Sequence, residues 1–182
     1  MEIEIKVKIE KYDNLKSFLE KEAKKKYINQ QIDEYYTPAH KDFTKVDPIV
    51  EWLRLRDSDG KFSINYKHWK YEKDGRTHYC DEYESKVESI ENLRKILIAT
   101  DFKHLITVDK VRSVWLYKDY EISMDTVKGL GDFVEIEYKG NTENSVPSEI
   151  TEQMIAFLNK IDCGNISRDF KGYPYLLLEQ LK

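Results

Sequence analysis

The chain has 182 residues, 40% of them hydrophobic and 35% charged, with only 7 Gly and 4 Pro. This length fits a single domain over residues 1–182 with a real core, and the composition excludes a disordered chain. The 34 acids nearly cancel the 30 bases, leaving a net charge of −4, which excludes the basic excess of a dedicated nucleic-acid binder.

The first segment, Glu2-Ile3-Glu4-Ile5-Lys6-Val7-Lys8-Ile9, alternates strictly and predicts a strand. Asp13 is placed to cap a helix with Leu15, Phe18, Leu19 and Ala23 on one face, and Lys24–Lys26 reads as its solvated end. Strands are expected over Gln31–Tyr36, ended by Thr37-Pro38, and over Glu51–Arg56. Asp57-Ser58-Asp59-Gly60 then turns the chain into Phe62–Lys67. The two Asp faintly resemble a calcium loop, but its later ligands are missing.

Asp74-Gly75 marks a turn before a strand from His78 to Lys86, and Ser89 caps a helix turning Ile90, Leu93, Ile96 and Leu97 inward. Strands follow at Ile106–Trp115, Tyr120–Thr126 and Phe133–Lys139. A helix from Pro147 or Ser148 carries Ile150, Met154, Phe157, Leu158 and Ile161, and a short one runs from Tyr173 to Leu181. About eight strands joined by short hairpins, plus a few helices, predict an α+β domain whose antiparallel sheet closes into a β-barrel.

Cys80 and Cys163 are far apart and have no Cys or His at metal-ligand spacing, which fits a reducing compartment. Met1–Glu10 contains no signal-peptide hydrophobic run, and Leu176–Leu178 is too short to cross a bilayer. A cytoplasmic protein, with neither membrane nor nucleic acid as partner, is expected.

The informative pattern is where the charges fall. Acids stand two apart at Glu2 and Glu4, Glu82 and Glu84, and Glu135 and Glu137, with Asp125 alone. Bases do the same at Lys6 and Lys8, Arg54 and Arg56, and Lys110 and Arg112, with Lys67 ending its strand. Side chains alternate across a strand, so each pair shares one face. Ile3, Ile5, Leu53, Leu55, Tyr83, Val111 and Ile136 are expected to pack the other. A single pair is ordinary on a half-solvated strand. Recurrence on nearly every strand is not, and like signs run along each strand where a solvent face would intermix them. Closing the sheet gathers about seven carboxylates and seven cations in one lumen. Carboxylates suit Mg²⁺ or Mn²⁺, and Arg and Lys suit phosphate oxygens, so a wet tunnel for a polyphosphate–metal complex is expected.

Glu2-x-Glu4-x-Lys6 resembles the ExExK signature of the CYTH superfamily, named for class IV adenylyl cyclase and thiamine triphosphatase and also called triphosphate tunnel metalloenzymes. The resemblance continues in order through Leu53-Arg54-Leu55-Arg56, Lys67, Glu82-x-Glu84, Lys110-x-Arg112, Asp125 and Glu135-x-Glu137, which covers nearly the whole chain. It implies an eight-stranded antiparallel β-barrel with Lys6, Lys8, Arg54, Arg56, Lys67, Lys110 and Arg112 on a small-molecule triphosphate. Glu2, Glu4, Asp125, Glu135 and Glu137 are the implied ligands of Mg²⁺ or Mn²⁺, and Lys67, Glu82 and Glu84 the implied catalytic groups. Family members are often dimeric, so a homodimer is compatible with the resemblance.

Gln31-x-Asp33-x-Tyr35-Tyr36, followed by His40 and Asp42-Phe43, is more similar to the cyclase branch. Three functions follow. One is conversion of ATP to cyclic AMP and pyrophosphate. Another is hydrolysis of tripolyphosphate, thiamine triphosphate or a nucleoside triphosphate. The third is non-enzymatic nucleotide or polyphosphate binding, which the full acidic set argues against, because unpaired carboxylates repel phosphate.

Overall fold

The computed structural model describes residues 3–71, 77–143 and 145–181, with side chains over the same stretches apart from 71 and 77–79. Glu2 and the Asp74-Gly75 turn lie outside the described residues.

In chain order the elements are β1 (Glu4–Ile9), α1 (Tyr12–Glu22), β2 (Lys24–Pro38), β3 (Glu51–Ser58), β4 (Lys61–Tyr71), β5 (Thr77–Val87), α2 (Ile90–Ala99), β6 (Phe102–Tyr117), β7 (Tyr120–Val127), β8 (Gly131–Tyr138), α3 (Pro147–Lys160), β9 (Ile166–Arg168) and α4 (Tyr173–Glu179). The strands form one antiparallel sheet in the order β5-β4-β3-β2-β6-β7-β8-β1-β9. The expected α+β antiparallel architecture is therefore present. The described residues show no hydrogen-bonded ladder joining β5 to β9, yet the sheet curls until β5 approaches β1.

Alternation divides this sheet into two chemically different faces. Ile3, Ile5, Val7, Ile122, Met124, Val134 and Ile136 turn outward and are buried under α1 and α3 by Leu15, Leu19, Ile150, Met154 and Leu158. A smaller cluster packs Leu97 of α2 on Tyr36 and Leu55. The concave face carries the ionisable residues, and α4 inserts Tyr173 against Phe133 at a ring separation of 4.9 Å. The hairpin from β3 to β4 turns on Asp59 and Gly60, both at positive φ, with the Gly60 amide donating to Asp57 Oδ1 at 2.8 Å. That geometry suits a tight hairpin and not an ion loop.

Several local expectations are corrected. Asp13 does not cap α1, because the helix begins one residue earlier and Lys11 holds the cap position without a side-chain hydrogen bond. Lys24–Lys26 opens β2, drawn into strand by the long pairing with β6. Ser89 does cap α2, accepting from the Asn92 amide at 3.2 Å, but Ile96 stays exposed, since that helix rests on the sheet mainly through Leu97. Tyr83 and Val111 are exposed as well, Val111 at a groove beside Tyr12, Lys16 and Glu20 of α1 that the helix does not close. The ninth strand, Ile166-Ser167-Arg168, is too short for alternation to reveal and exists through pairing with β1.

Met154 is fully buried in the cluster that joins α3 to the sheet. Met154→Ala should lower the unfolding free energy by about 2–5 kcal/mol in urea titration, and a loss below about 1 kcal/mol would show that α3 does not share the core.

Candidate functional site

A cavity of about 170 Å³ opens on the concave face. It is lined by Glu4 and Lys6 of β1, Arg54 and Arg56 of β3, Lys67 of β4, Glu82 and Glu84 of β5, Lys110 and Arg112 of β6, and Glu135 and Glu137 of β8. Most of the charges expected from sequence alternation are thus brought together from six strands. Lys8 is not among them. It lies on exposed surface near one end of the sheet, with Nζ donating to the Leu130 carbonyl at 3.0 Å.

The like signs that run along individual strands meet opposite signs across them at four positions, although Glu4 stands opposite Glu137. Lys6 stands opposite Glu135, Lys67 opposite Glu82, Asp33 opposite Arg56, and Arg112 opposite Asp125. Cross-strand ion pairing is therefore part of the design, contrary to what segregation along each strand suggested.

Two carboxylates form the floor. Asp33 has no exposed surface and receives Arg56 side-on, with Nε at 2.6 Å and Nη2 at 2.7 Å. Lys110 Nζ approaches the same carboxylate at 3.2 Å and Arg54 Nη1 at 3.9 Å. Burial works against the Asp33 charge, but Lys110, Arg54 and Arg56 override it and hold the carboxyl far below its ordinary range. Asp125, equally buried, takes Arg112 Nε at 2.7 Å, Arg112 Nη2 at 2.6 Å and the Tyr173 hydroxyl at 2.7 Å. Both its oxygens are committed, so the structure places Asp125 beneath the cavity as the anchor of Arg112.

The wall formed by β1 and β8 is acidic. Burial, then the neighbouring Glu135 and Glu137, raise Glu4 above the usual carboxylate range against the pull of Lys67 and Lys6. Glu135 is instead held well down, because Arg112 and Lys6 outweigh its burial. At the mouth, Lys67 pairs with Glu82 at 3.0 Å and Arg54 Nη2 with Glu84 at 3.4 Å, while the Asn65 amide donates to both carboxylates. Arg54 Nε is buried and, among the described residues, has no hydrogen-bond partner, a spare donor in a cavity-lining residue.

Among the described residues, no three Asp, Glu, His or Cys side chains are gathered as a preformed metal cluster. The neighbouring acids Glu4 and Glu135, with Glu137 beside them, nevertheless suit a hard divalent cation. Mg²⁺ commonly takes one or two protein carboxylates and completes its shell with water and substrate phosphate.

The CYTH domain model matches residues 1–173. The chain belongs to the CYTH domain family. A Methanocaldococcus jannaschii protein named "Putative adenylate cyclase" is 36% identical over 173 residues, covering 93% of this chain and 92% of that one. Among solved structures, a Pyrococcus horikoshii OT3 protein superposes with TM-score 0.80 at 26% identity, covering 99% of each chain. A Hippeastrum protein, described as a putative adenylyl cyclase with a dominant triphosphatase activity, shares the fold with TM-score 0.67 at 19% identity, over 100% of this chain and 97% of that one. CYTH proteins are typically triphosphate-processing enzymes that use divalent metals, and the curled charged sheet found here is their tunnel fold. Among the described residues no helix is long and apolar enough to cross a membrane.

Sequence reasoning did not single out Asp33 as a site residue, nor Asn65, Trp52, Trp69 or Tyr173. Asp33 shares the inward parity of Gln31 and Tyr35, and its meeting with Arg54, Arg56 and Lys110 depends on strand order, which the sequence pattern does not show. Tyr173 reaches the site only through the packing of α4.

Burial, the largest influence, together with Arg112 and Arg56, pushes Lys110 down to about 7 against the pull of Asp33. An unfolded lysine titrates near 10.4, so between about 7 and about 10.4 the unfolded chain holds a proton that the folded one lacks. Stability contributed at this position therefore rises with pH across that window. The unfolding free energy of the wild type minus that of Lys110→Met should increase from pH 7.5 to 9.5, and a flat difference would remove Lys110 from the buried floor.

Proposed function

We propose that the cavity binds the triphosphate group of a small substrate together with Mg²⁺ or Mn²⁺ and promotes substitution at phosphorus, with conversion of ATP to cyclic AMP and pyrophosphate as the preferred reaction. One observation carries this reading: Lys6, Arg54, Arg56, Lys67, Lys110 and Arg112 all line a single cavity that also holds the acidic wall of Glu4, Glu135 and Glu137. Pure anion binding has no use for that wall. The cyclase preference draws on the name of the 36% identical relative and on the segment from Gln31 to Phe43.

Glu4, Glu135 and Glu137 are the residues proposed to hold the metal, which when bound would neutralise phosphate charge and draw electron density from the attacked phosphorus. The basic residues would orient the phosphate chain and stabilise charge on its oxygens, the main source of acceleration in phosphoryl transfer. In the cyclase reaction the ribose 3′-oxygen bonds the α-phosphorus while the bond from that phosphorus to the bridging oxygen breaks and pyrophosphate departs. Glu82 and Glu84 are the carboxylates proposed to take the hydroxyl proton, with Lys67, 3.0 Å from Glu82, fixing their position.

Terminal-phosphate hydrolysis is the second reading. It is favoured by a lining that is mostly charged, its aromatic members among the described residues being Tyr35, Trp52, Trp69 and Tyr173. Incubation with ATP, tripolyphosphate and thiamine triphosphate, each with Mg²⁺ or Mn²⁺, followed by resolution of the products, separates the two. Cyclic AMP with pyrophosphate supports the first reading and orthophosphate the second. No turnover of any substrate sinks both and leaves a binding module.

Two substitutions test the residues. Glu135→Gln should reduce turnover by at least about 100-fold with the fold retained by circular dichroism, because the metal-facing charge is lost. Wild-type turnover at saturating Mg²⁺ would exclude Glu135 from the site. Arg56→Ala should weaken tripolyphosphate binding by about 10- to 100-fold, the usual scale for a charge-assisted hydrogen bond.

A further inference from the structure

We infer that Asp33 is a positioning residue for polyphosphate: a carboxylate beneath the cavity that holds Arg54, Arg56 and Lys110 in the arrangement that meets the anion. The inference rests on the reading that this cavity takes a polyphosphate.

The argument begins with strand order. β2 lies between β3 and β6, the strands that supply these three cations, and Asp33 pairs with Arg56 on one side and with Val108 on the other. A carboxylate at this point of β2 can therefore be reached from both neighbours. Among the described residues Asp33 is the one carboxylate ion-paired to Arg56 or to Lys110. It has no exposed surface, and Arg56 occupies both of its oxygens. Phosphate arriving in the cavity has no access to it.

Charge arithmetic gives the arrangement its use. With Lys110 protonated and Glu84 displaced from Arg54, one carboxylate shared by three cations leaves two positive charges for an anion, while the buried Asp33 still makes the cluster tolerable. Without Asp33 the three cations would repel one another in a poorly solvated space. Glu82 and Glu84 differ in kind. They pair with Lys67 and Arg54 at the mouth, where the Glu84 side chain is 49% exposed, so an entering phosphate can displace them.

Lys110 is the member of the cluster most sensitive to this support. It faces Asp33 from β2, Arg54 and Arg56 from β3, Arg112 on its own strand, Asp125 from β7, Glu135 from β8 and Tyr173 from α4. Asp33 is the strongest of these in favouring its ammonium form. Loss of the Asp33 charge should therefore move the loss of the Lys110 proton to lower pH, in addition to releasing the Arg56 side chain.

The test is calorimetric titration of tripolyphosphate into wild type, Asp33→Asn and Asp33→Glu, in EDTA, from pH 6 to 9, with a thermal melt of each. Asp33→Asn should bind about 10- to 100-fold more weakly, and its affinity should fall away at lower pH than that of the wild type. Asp33→Glu should keep the wild-type pH profile while binding a few-fold more weakly, because charge is retained and position is not. Wild-type affinity and pH profile in Asp33→Asn overturn the inference. So does a reduced melting temperature with affinity falling equally in both variants and an unmoved pH profile, which is the signature of a purely structural residue. Should Asp33→Asn not fold, Asp33→Glu decides alone, and wild-type affinity in it overturns the positioning role. If the wild type binds tripolyphosphate only with added Mg²⁺, the same comparison of the three proteins is read with it. A wild type that binds neither in EDTA nor with Mg²⁺ removes the functional reading itself, an outcome distinct from all of these.

Discussion

Everything in this molecule depends on making a concave sheet face full of charge tolerable. Burying a cation or a carboxylate alone costs several kcal/mol, and the cost is offset only by close, well-directed partners. The floor meets that condition twice. Arg56 and Arg112 each present a planar fork to a fully buried carboxylate, Asp33 and Asp125, at 2.6–2.7 Å. Lysine could not replace either arginine, since one ammonium cannot span two carboxylate oxygens.

The apolar packing of this fold lies on both sides of the sheet. Ile5, Ile122, Val134 and Ile136 meet α1 and α3 on the convex side, while a second cluster joins Val108, Val127 and Phe133 to Tyr35, Trp52 and Tyr173 on the side of the cavity. A substitution in the convex layer is read as stability, whereas one in the inner cluster bears on both stability and the site. Tyr173 shows how closely the two are joined. Its ring packs on Phe133 while its hydroxyl holds Asp125, and Lys6 Nζ lies 4.3 Å from its ring centroid.

The sequence made the alternating strands legible, and with them most of the cavity, because parity is a local property. Arg54, Arg56, Lys110 and Arg112 face inward for the same reason that Leu55 faces outward. What parity cannot show is which inward residue meets which. The resemblance implies Asp125 as a metal ligand, and only the register of β6 with β7 shows that it also pairs with Arg112. Asp33 entered only as part of the segment from Gln31 to Tyr36, and strand order is what puts it between the two most basic strands of the site. Tyr83, Val111 and Ile96 were expected to be covered because they are apolar. Covering depends on where helices land, which is a tertiary outcome.

The position of β5 in the sheet divides the cavity mechanically. Among the described residues β5 is paired on one side only, by β4, whereas β2 and β7 have neighbours on both sides. Glu82 and Glu84 ride on that edge, while Asp33 and Asp125 sit where two ladders fix the backbone. Edge strands open at lower free energy than central ones. The basic floor and the acidic wall of β1 and β8 thus sit on strands paired on both sides, and only the carboxylates of Glu82 and Glu84 ride on a compliant edge. An arriving anion can be matched to the floor at once, with structural adjustment confined to the edge carboxylates it displaces.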